Sequence, residues 1–263
     1  TKEDVELVRE QLGLNKPLPQ QYVSYVTGLV RGDLGTSLRT KRSVLTEVQG
    51  RYMNTVQLTL LSLTWSVIAG VLIGVWSGRN RSKWQDYTGM TVAVSGISMP
   101  SFWIGFMLIM VFAVKYRLLP TTGAGSFKNL ILPSITLGVS IAAIIARFTR
   151  SSVIEVMKED YVRTARAKGL REKTVIWKHV FRNCMISVVT VVGLQFGFLL
   201  GGSVVTETVF AFPGLGSLLI ESVNYRDYPA IQSLILIFSL HFVLINLVVD
   251  VLYAVLNPEI HLS

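Results

Sequence analysis

The residues of this 263-residue chain that could do catalytic or metal chemistry are few and widely separated. The three histidines, His179, His241 and His261, fall on different predicted elements and so predict no metal site. Neither 78–83 nor 123–128 has the Gly-x-x-x-x-Gly-Lys-Ser/Thr spacing that cradles nucleotide phosphates. No serine, histidine and carboxylate arrangement stands out. The sequence therefore predicts a protein that is not an enzyme and binds no cofactor or metal itself.

Polar residues within the last apolar stretch are the next candidates for a functional role. Asn246 and Asp250 are four residues apart, and Tyr253 and Asn257 extend the same helical face. An acid inside a membrane helix indicates a functional site, but such a face can equally hydrogen-bond neighbouring helices. His241 could face a cavity or be packed and hydrogen-bonded, so both alternatives stay open for this stretch.

A proline interrupts another apolar stretch at Ser98-Met-Pro100. Proline removes a backbone donor and kinks a helix, and the freed carbonyls are tolerated where they are buried or line a cavity. The kink either lines a path or has no function of its own. The candidates for a translocation path are Ser98, Pro100, Gln195, His241, Asn246 and Asp250.

The elements that would position these residues are membrane-spanning helices. The chain is 51% hydrophobic and only 16% charged, whereas soluble proteins are about 25% charged. Its charges lie between long uncharged stretches, and about 20 apolar residues in a helix cross the bilayer. An all-α integral membrane protein with five spans is predicted. The spans cover about 54–77, 87–114, 130–150, 184–206 and 229–256.

The distribution of Lys and Arg predicts the orientation of these spans. Ten of the 25 basic residues fall within 147–182, and short cytoplasmic loops are enriched in such residues. This places the loop 151–183 and the tail 258–263 in the cytoplasm. Residues 1–53 and the loop 207–228 are then extracytoplasmic. An exported segment requires a preceding signal, so we expect a sixth span upstream of Thr1.

Two spans carry glycines at four-residue spacing, which places them on one helical face where backbones can approach closely. This spacing predicts tight helix packing, although glycine is also simply tolerated in membrane helices. The six residues are Gly70, Gly74, Gly78, Gly193, Gly197 and Gly201.

The inner loop contains a short predicted helix from Asp160 to Gly169. Asp160 can cap its start and Gly169 can end it in the left-handed conformation. Its small residues, Thr164, Ala165 and Ala167, make one part of the helix thin. The surrounding cations are Arg163, Arg166 and Lys168. Such a helix could fit a groove of another protein or lie on anionic lipid headgroups.

Several segments together resemble the membrane subunits of bacterial ABC importers that depend on an external binding protein. The resemblance covers essentially the whole chain and is strongest to the peptide/nickel group, which includes dipeptide, oligopeptide, glutathione and nickel permeases. The segments that carry it are GDLGTS at 32–37, ARFTRSS at 146–152, EDYVRTARAKG at 159–169, RN at 182–183, GGSVVTE at 201–207, FPGLG at 212–216, RDYP at 226–229 and DVLYAVLNP at 250–258.

The resemblance implies a type I importer permease fold in the bacterial inner membrane with a cytoplasmic coupling helix. The family's Glu-Ala-Ala-x-x-x-Gly motif matches 163–169 here, with Arg163-Thr-Ala165 in place of Glu-Ala-Ala. The later Ile-x-Leu-Pro portion is replaced by residues 179–182, as is common in the peptide group. Residues 160–169 are therefore expected to dock on an ATPase.

The same resemblance implies the partners: a second permease chain, two ATPase subunits that bind ATP and Mg²⁺, an extracytoplasmic binding protein and membrane lipid. The net charge of +9 is explained by the cytoplasmic loops, so no nucleic acid is expected. The expected cargo is a dipeptide, an oligopeptide or glutathione, ahead of a nickel complex. The alternative is a self-sufficient secondary transporter or channel, which would need ion sites and usually internal repeats.

Overall fold

The computed structural model describes Arg9, Gly13 and residues 15–256. Its described helices are α1 (Leu18–Val30), α2 (Val44–Arg79), α3 (Trp84–Ser98), α4 (Ser101–Leu108), α5 (Phe127–Val156), α6 (Asp160–Ala167), α7 (Glu172–Thr174), α8 (Phe181–Val209), α9 (Leu215–Asn224) and α10 (Tyr228–Leu256). Two π-helical segments, π1 (Ile109–Lys115) and π2 (Val175–Val180), continue α4 and α7.

The long helices match the prediction of a five-span membrane protein. Three of them, α2, α5 and α10, are each long and apolar enough to cross a bilayer. Two bent pairs bring the number to as many as five within the described residues: Trp84–Ser98 with Ser101–Lys115, and Glu172–Met185 with Val188–Leu199. Because lipid offers the backbone no hydrogen-bond partners, such spans must be helical.

The second predicted span is broken rather than merely kinked. Its two halves, 84–98 and 101–115, are bent by 102°. Met99, the residue before Pro100, takes an extended conformation with φ −92° and ψ 130°. The ring of a proline disfavours the helical conformation in the preceding residue, so Pro100 ends α3 and then begins α4.

The glycines of α2 bring its backbone against α5. A Cβ placed on Gly70 would lie 2.7 Å from the carbonyl oxygen of Ala142, and one on Gly74 would lie 2.5 Å from Cβ of Thr149. Gly78 meets α5 in the same way, one turn further on. The fixed contact between α2 and α5 therefore leaves no room for a side chain at these positions.

The glycines of α8 face α10, but only over part of their length. A Cβ on Gly193 would lie 2.4 Å from Cγ1 of Val249, and one on Gly197 would lie 3.1 Å from the ring of Phe242. Gly201 has no neighbour within 4 Å of such a Cβ. Gly201 thus departs from the close packing expected of the stripe.

The two ends of the bundle carry different structures. The end with α6 and π2 is called the inner end, and the end with α9 and residues 31–43 the outer end. The main apolar core runs from α2, α5 and α8 into the inner-end segment and includes Leu58, Ile145 and Val153, all of which are fully buried. A smaller apolar cluster joins the starts of α2 and α10 to α9 at the outer end.

Candidate coupling helix and translocation groove

The short helix α6 forms because local signals define both of its ends. Glu159, in an extended conformation, is the N-cap residue, and Asp160 is the first helical residue. The carboxylate of Asp160 is paired with the guanidinium of Arg163, three residues on. The prediction that Asp160 caps the helix is therefore wrong, because Glu159 occupies the N-cap position and Asp160 already lies within the helix.

Gly169 ends α6 in the left-handed conformation, as predicted. Its φ is +75°, and the N–H of Leu170 donates to the carbonyl of Ala165 at 3.3 Å. The N–H of Gly169 itself donates to Arg166 at 2.9 Å. These two bonds form a Schellman motif, which reverses the chain sharply after α6 and turns it toward π2.

An apolar anchor holds α6 to the rest of the inner end. Val162 and Ala165 are buried in the same apolar cluster as Val175, Ile176 and Val180 of π2. Complete burial of a valine side chain contributes roughly 1.5 kcal/mol or more. Ala165, expected among the thin residues offered to a partner, therefore faces the interior of this chain.

The opposite face of α6 is polar and exposed. Its exposed residues are Asp160, Arg163, Thr164, Ala167 and Lys168, followed by the exposed Gly169. Arg166 is half-buried and donates two hydrogen bonds to Glu172, at 3.2 and 2.9 Å. This ion pair ties α6 to α7 from the side, so α6 is fixed both by its apolar anchor and by Arg166.

An elongated groove of about 480 Å³ follows one face of α3. Thr91, Ser95 and Ser98 line it at helical spacing together with Met99, and Asp86 and Arg150 stand at its inner end. Ser95 and Ser98 donate their hydroxyl protons to carbonyls of their own helix, at 2.8 and 3.0 Å. Their oxygens remain available to accept hydrogen bonds from the amide groups of a ligand.

An ion pair closes the inner end of this groove. The Nε and Nη2 atoms of Arg150 donate to Oδ1 and Oδ2 of Asp86 at 2.5 and 2.7 Å. Asp86 also accepts from the N–H of Ser82 at 3.1 Å, and its side chain is only 4% exposed. A second cleft, of about 340 Å³, lies on the other side of Arg150 and is lined in part by Arg81 and Lys158.

The structure does not bring the path candidates together. Ser98 lines the groove and Pro100 forms the adjoining break, whereas His241 lies in the contact between α10 and α2. His241 shares a 2.6 Å hydrogen bond with the hydroxyl of Tyr52, and its Nδ1 lies 2.8 Å from the carbonyl of Ile237. One ring nitrogen thus joins α10 to α2, and the other is engaged within α10 itself.

The remaining path candidates differ in their exposure. Gln195 is half-buried on α8, and Asn246 donates to the carbonyl of Phe242 at 2.9 Å. Asp250 is exposed. Asn257 and the side chain of Tyr253 lie outside the described residues. Among the described residues, no group of three or more His, Cys, Asp and Glu side chains could hold a metal ion.

A buried carboxylate organises the outer end, a role that sequence reasoning missed. Glu207 accepts hydrogen bonds from Thr55 Oγ1 at 2.8 Å and from the N–H of Ser217 at 3.0 Å. Thr55 Oγ1 accepts in turn from the N–H of Leu215 at 2.8 Å. Carboxylates are favourable at helix N-termini, so Glu207 fixes the start of α9 against α2. The segments 201–207 and 212–216 marked the resemblance, but neither spacing nor composition showed that they meet.

The fold and these features define a polytopic, all-helical membrane permease subunit. A family model described as "Binding-protein-dependent transport system inner membrane component" matches residues 70–262. The chain belongs to this family of ABC importer permeases, in its peptide/nickel group. It is thus a multi-pass subunit of the inner membrane.

Close relatives come from the same group. The chain is 55% identical to the glutathione transport system permease protein GsiC of Pectobacterium atrosepticum over 256 residues. It is 56% identical to the protein of that name from Escherichia coli K12, also over 256 residues. Each alignment covers 97% of this chain and 84% of the relative.

Solved structures support the fold. The chain is similar to a chain of the methionine ABC transporter MetNI in an inward-facing conformation, with a TM-score of 0.70 and 17% identity over 80% of this chain and 96% of the other. It is also similar to a chain of an amino acid ABC transporter solved with histidines, with a TM-score of 0.62 and 16% identity. That second match covers 79% of this chain and 92% of the other.

Proposed function

We propose that this chain forms half of the translocation path of an ATP-driven importer and is coupled to ATP hydrolysis through α6. The observation that carries the proposal is the arrangement of α6, with an apolar face anchored in this chain and a polar face left exposed. A helix held in this way moves together with the inner ends of α5 and α8. A partner ATPase that binds the exposed face would therefore move those spans.

The proposed orientation places α6 in the cytoplasm and α9 with residues 31–43 outside. The clustering of Lys and Arg around α6 supports it, since cytoplasmic loops are rich in these residues. The C-terminal end of α10 then lies on the cytoplasmic side. ATP and Mg²⁺ would be bound by two ATPase subunits, and a binding protein would deliver the cargo from outside.

The proposed second permease subunit is supported by the exposure of this chain's spans. Only 6% of an apolar 18-residue stretch of α10 is buried within the chain. Exposed apolar side chains such as Phe106 and Met110 also cover α4 and π1. Lipid and a second permease together would cover these faces. The groove beside α3 would then be one wall of the path.

The proposed cargo is glutathione or a similar short peptide. The relatives at 55–56% identity are described as glutathione transport permeases, which favours glutathione over a nickel complex. The groove is consistent with a peptide because both hydroxyl and thioether groups line it. Peptide N–H groups can bind the hydroxyl oxygens, and apolar parts can lie on Met90 and Met99.

The test is uptake of labelled glutathione by the assembled transporter in liposomes, with unlabelled dipeptide and nickel as competitors. Ser95→Phe and Ser98→Phe should each fill the groove and reduce ATP-dependent uptake at least tenfold. Val92→Phe is the matched control, since Val92 is exposed on the same helix but does not line the groove. Unchanged uptake in both serine variants, or uptake without ATP, would contradict the proposal.

A further inference from the structure

A buried aspartate joins the two structures of the outer end. Asp227 accepts hydrogen bonds from Ser37 Oγ, from the N–H of Leu38 at 3.0 Å and from the N–H of Arg39 at 3.4 Å. Its residue is only 2% exposed. The tight turn 37–42 is therefore fixed to the end of the outer loop 207–228, and the two segments form one rigid surface, here called the outer platform.

A glutamate neutralises two cations beside this platform. Glu221 accepts from Arg39 at 3.1 Å and from both terminal nitrogens of Arg51 at 3.0 and 3.2 Å. The hydrogen bonds from Arg51, more than those from Arg39, hold the pKa of Glu221 below its ordinary value. The guanidinium of Arg39 also lies 4.5 Å from the ring centroid of Tyr225. Arg39 and Arg51 are thus structural cations.

Three further basic residues of the outer platform do not take part in ion pairs of this kind among the described residues. Lys41, Arg42 and Arg226 are exposed, and the described part of the chain provides no ion pair for any of them. They lie close together because Lys41 and Arg42 hydrogen-bond through their backbones to Ser37, which binds Asp227, the neighbour of Arg226. We call these three residues the basic patch.

Two residues of the basic patch have a backbone conformation that favours glycine. Lys41 has φ 60° and Arg226 has φ 55°, in the left-handed region. A side chain in that region costs about 1 kcal/mol relative to glycine. A long basic side chain at both positions therefore has an energetic cost that the hydrogen bonds of the platform offset.

The position of the patch also runs against the usual distribution of charge. Lys41 and Arg42 immediately precede α2, which begins at Val44, and lie on the outer side in the proposed orientation. Basic residues close to the end of a span favour the cytoplasmic side. Their presence outside therefore calls for a reason other than topology.

We infer that the basic patch formed by Lys41, Arg42 and Arg226 docks an acidic surface of the extracytoplasmic binding protein. This inference rests on the proposed function and orientation. A rigid, unpaired set of cations suits the capture of a negatively charged protein surface, because complementary charge speeds encounter and fixes register. The partner's docking surface should carry clustered Asp and Glu side chains.

The test measures ATP hydrolysis by the assembled transporter in nanodiscs as its own binding protein is titrated in. In the variant Lys41→Glu/Arg42→Glu/Arg226→Glu, the half-saturating concentration should rise about tenfold at low salt, with the maximal rate unchanged. The milder Lys41→Gln/Arg42→Gln/Arg226→Asn should give an intermediate rise. For the unaltered transporter, added salt should weaken the stimulation.

The matched control is Arg117→Glu. Arg117 is also exposed and left-handed, with φ 52°, but it lies in the loop between π1 and α5, which is extracytoplasmic in the proposed orientation. An equal rise in this control would overturn the inference in favour of a general effect of outer charge. The inference would also be overturned if the half-saturating concentration did not change in the triple variant. It would equally be overturned if the substitutions weakened only the binding of phosphatidylglycerol vesicles and left the stimulation by the binding protein unchanged. If the binding protein failed to stimulate the unaltered transporter, the proposed function itself would fall.

Discussion

Arg150 on α5 donates two hydrogen bonds to the carboxylate of Asp86 at the start of α3, with Nε and Nη2 at 2.5 and 2.7 Å from its oxygens. α5 runs on toward α6, and α3 forms the wall of the groove. The ion pair therefore links the candidate coupling helix to the candidate path. A shift of α6 that moved the end of α5 would reach the groove through these two side chains.

Removal of one partner of this ion pair should be more harmful than removal of both charges. Arg150→Met leaves the carboxylate of Asp86 buried and unpaired, which we expect to cost about 3 kcal/mol. Asp86→Asn combined with Arg150→Met removes the buried charge and should recover much of that loss. The thermal unfolding midpoint of the purified complex measures both effects. Equal midpoints for the single and double variants would contradict this account of the pair.

Enlargement of Ala165 should destabilise the inner end of the bundle. Ala165 is 5% exposed and packs in the apolar cluster with π2, so Ala165→Leu should cost about 1–3 kcal/mol through overpacking. Ala167→Leu on the exposed face is the matched control and should leave the unfolding midpoint of the permease subunits, purified without the ATPase, unchanged. Similar midpoints for the two variants would show that Ala165 does not face the interior.

Substitution of Gly169 tests the left-handed end of α6. A Cβ at this position meets nothing within 4 Å, so Gly169→Val should act through the backbone alone. The left-handed conformation disfavours a β-branched residue by about 1–2 kcal/mol. Gly169→Asn should be milder, since asparagine tolerates this region. Uptake by the reconstituted transporter should fall in the order glycine, asparagine, valine, and the reverse order for the two variants would count against the motif.

The contact between α2 and α5 predicts a large effect at Gly74. In Gly74→Ala the new Cβ would lie 2.5 Å from Cβ of Thr149 and 2.6 Å from the carbonyl oxygen of Ala146, so the helices must separate. Gly50→Ala, on the same helix with open space around it, should instead stabilise by about 0.5–1 kcal/mol. The two unfolding midpoints should therefore move in opposite directions.

The sequence predicted the features that depend on local chemistry. The uncharged stretches indicated the spans, four-residue glycine spacing indicated close packing, and Gly169 indicated the end of α6. The predicted N-cap of α6 was wrong by one residue, because Glu159 holds that position and Asp160 is the first helical residue. The proline at 100 indicated a kink, whereas the structure has a 102° break at which Met99 is extended.

The features that could not be predicted from the sequence depend on contacts between residues that are far apart along the chain. Asp86 and Arg150 are separated by 64 residues in the sequence, and no local pattern indicates that they form an ion pair. Ala165 was expected to face a partner protein because its small side chain makes that part of α6 thin enough to enter a groove. Its burial depends on π2, whose packing against α6 follows from the chain reversal after Gly169.

The central claim is that the exposed face of α6 binds an ATPase, and site-specific cross-linking tests it most directly. A cysteine placed at Ala167 can be joined by a short bis-maleimide to a cysteine introduced on the ATPase surface, and the native Cys184 should not compete because it is buried. The account predicts a cross-link to the ATPase from Ala167→Cys and none from the buried Ala165→Cys. No cross-link from residue 167 in an active complex, or labelling of residue 167 from outside the membrane, would contradict it.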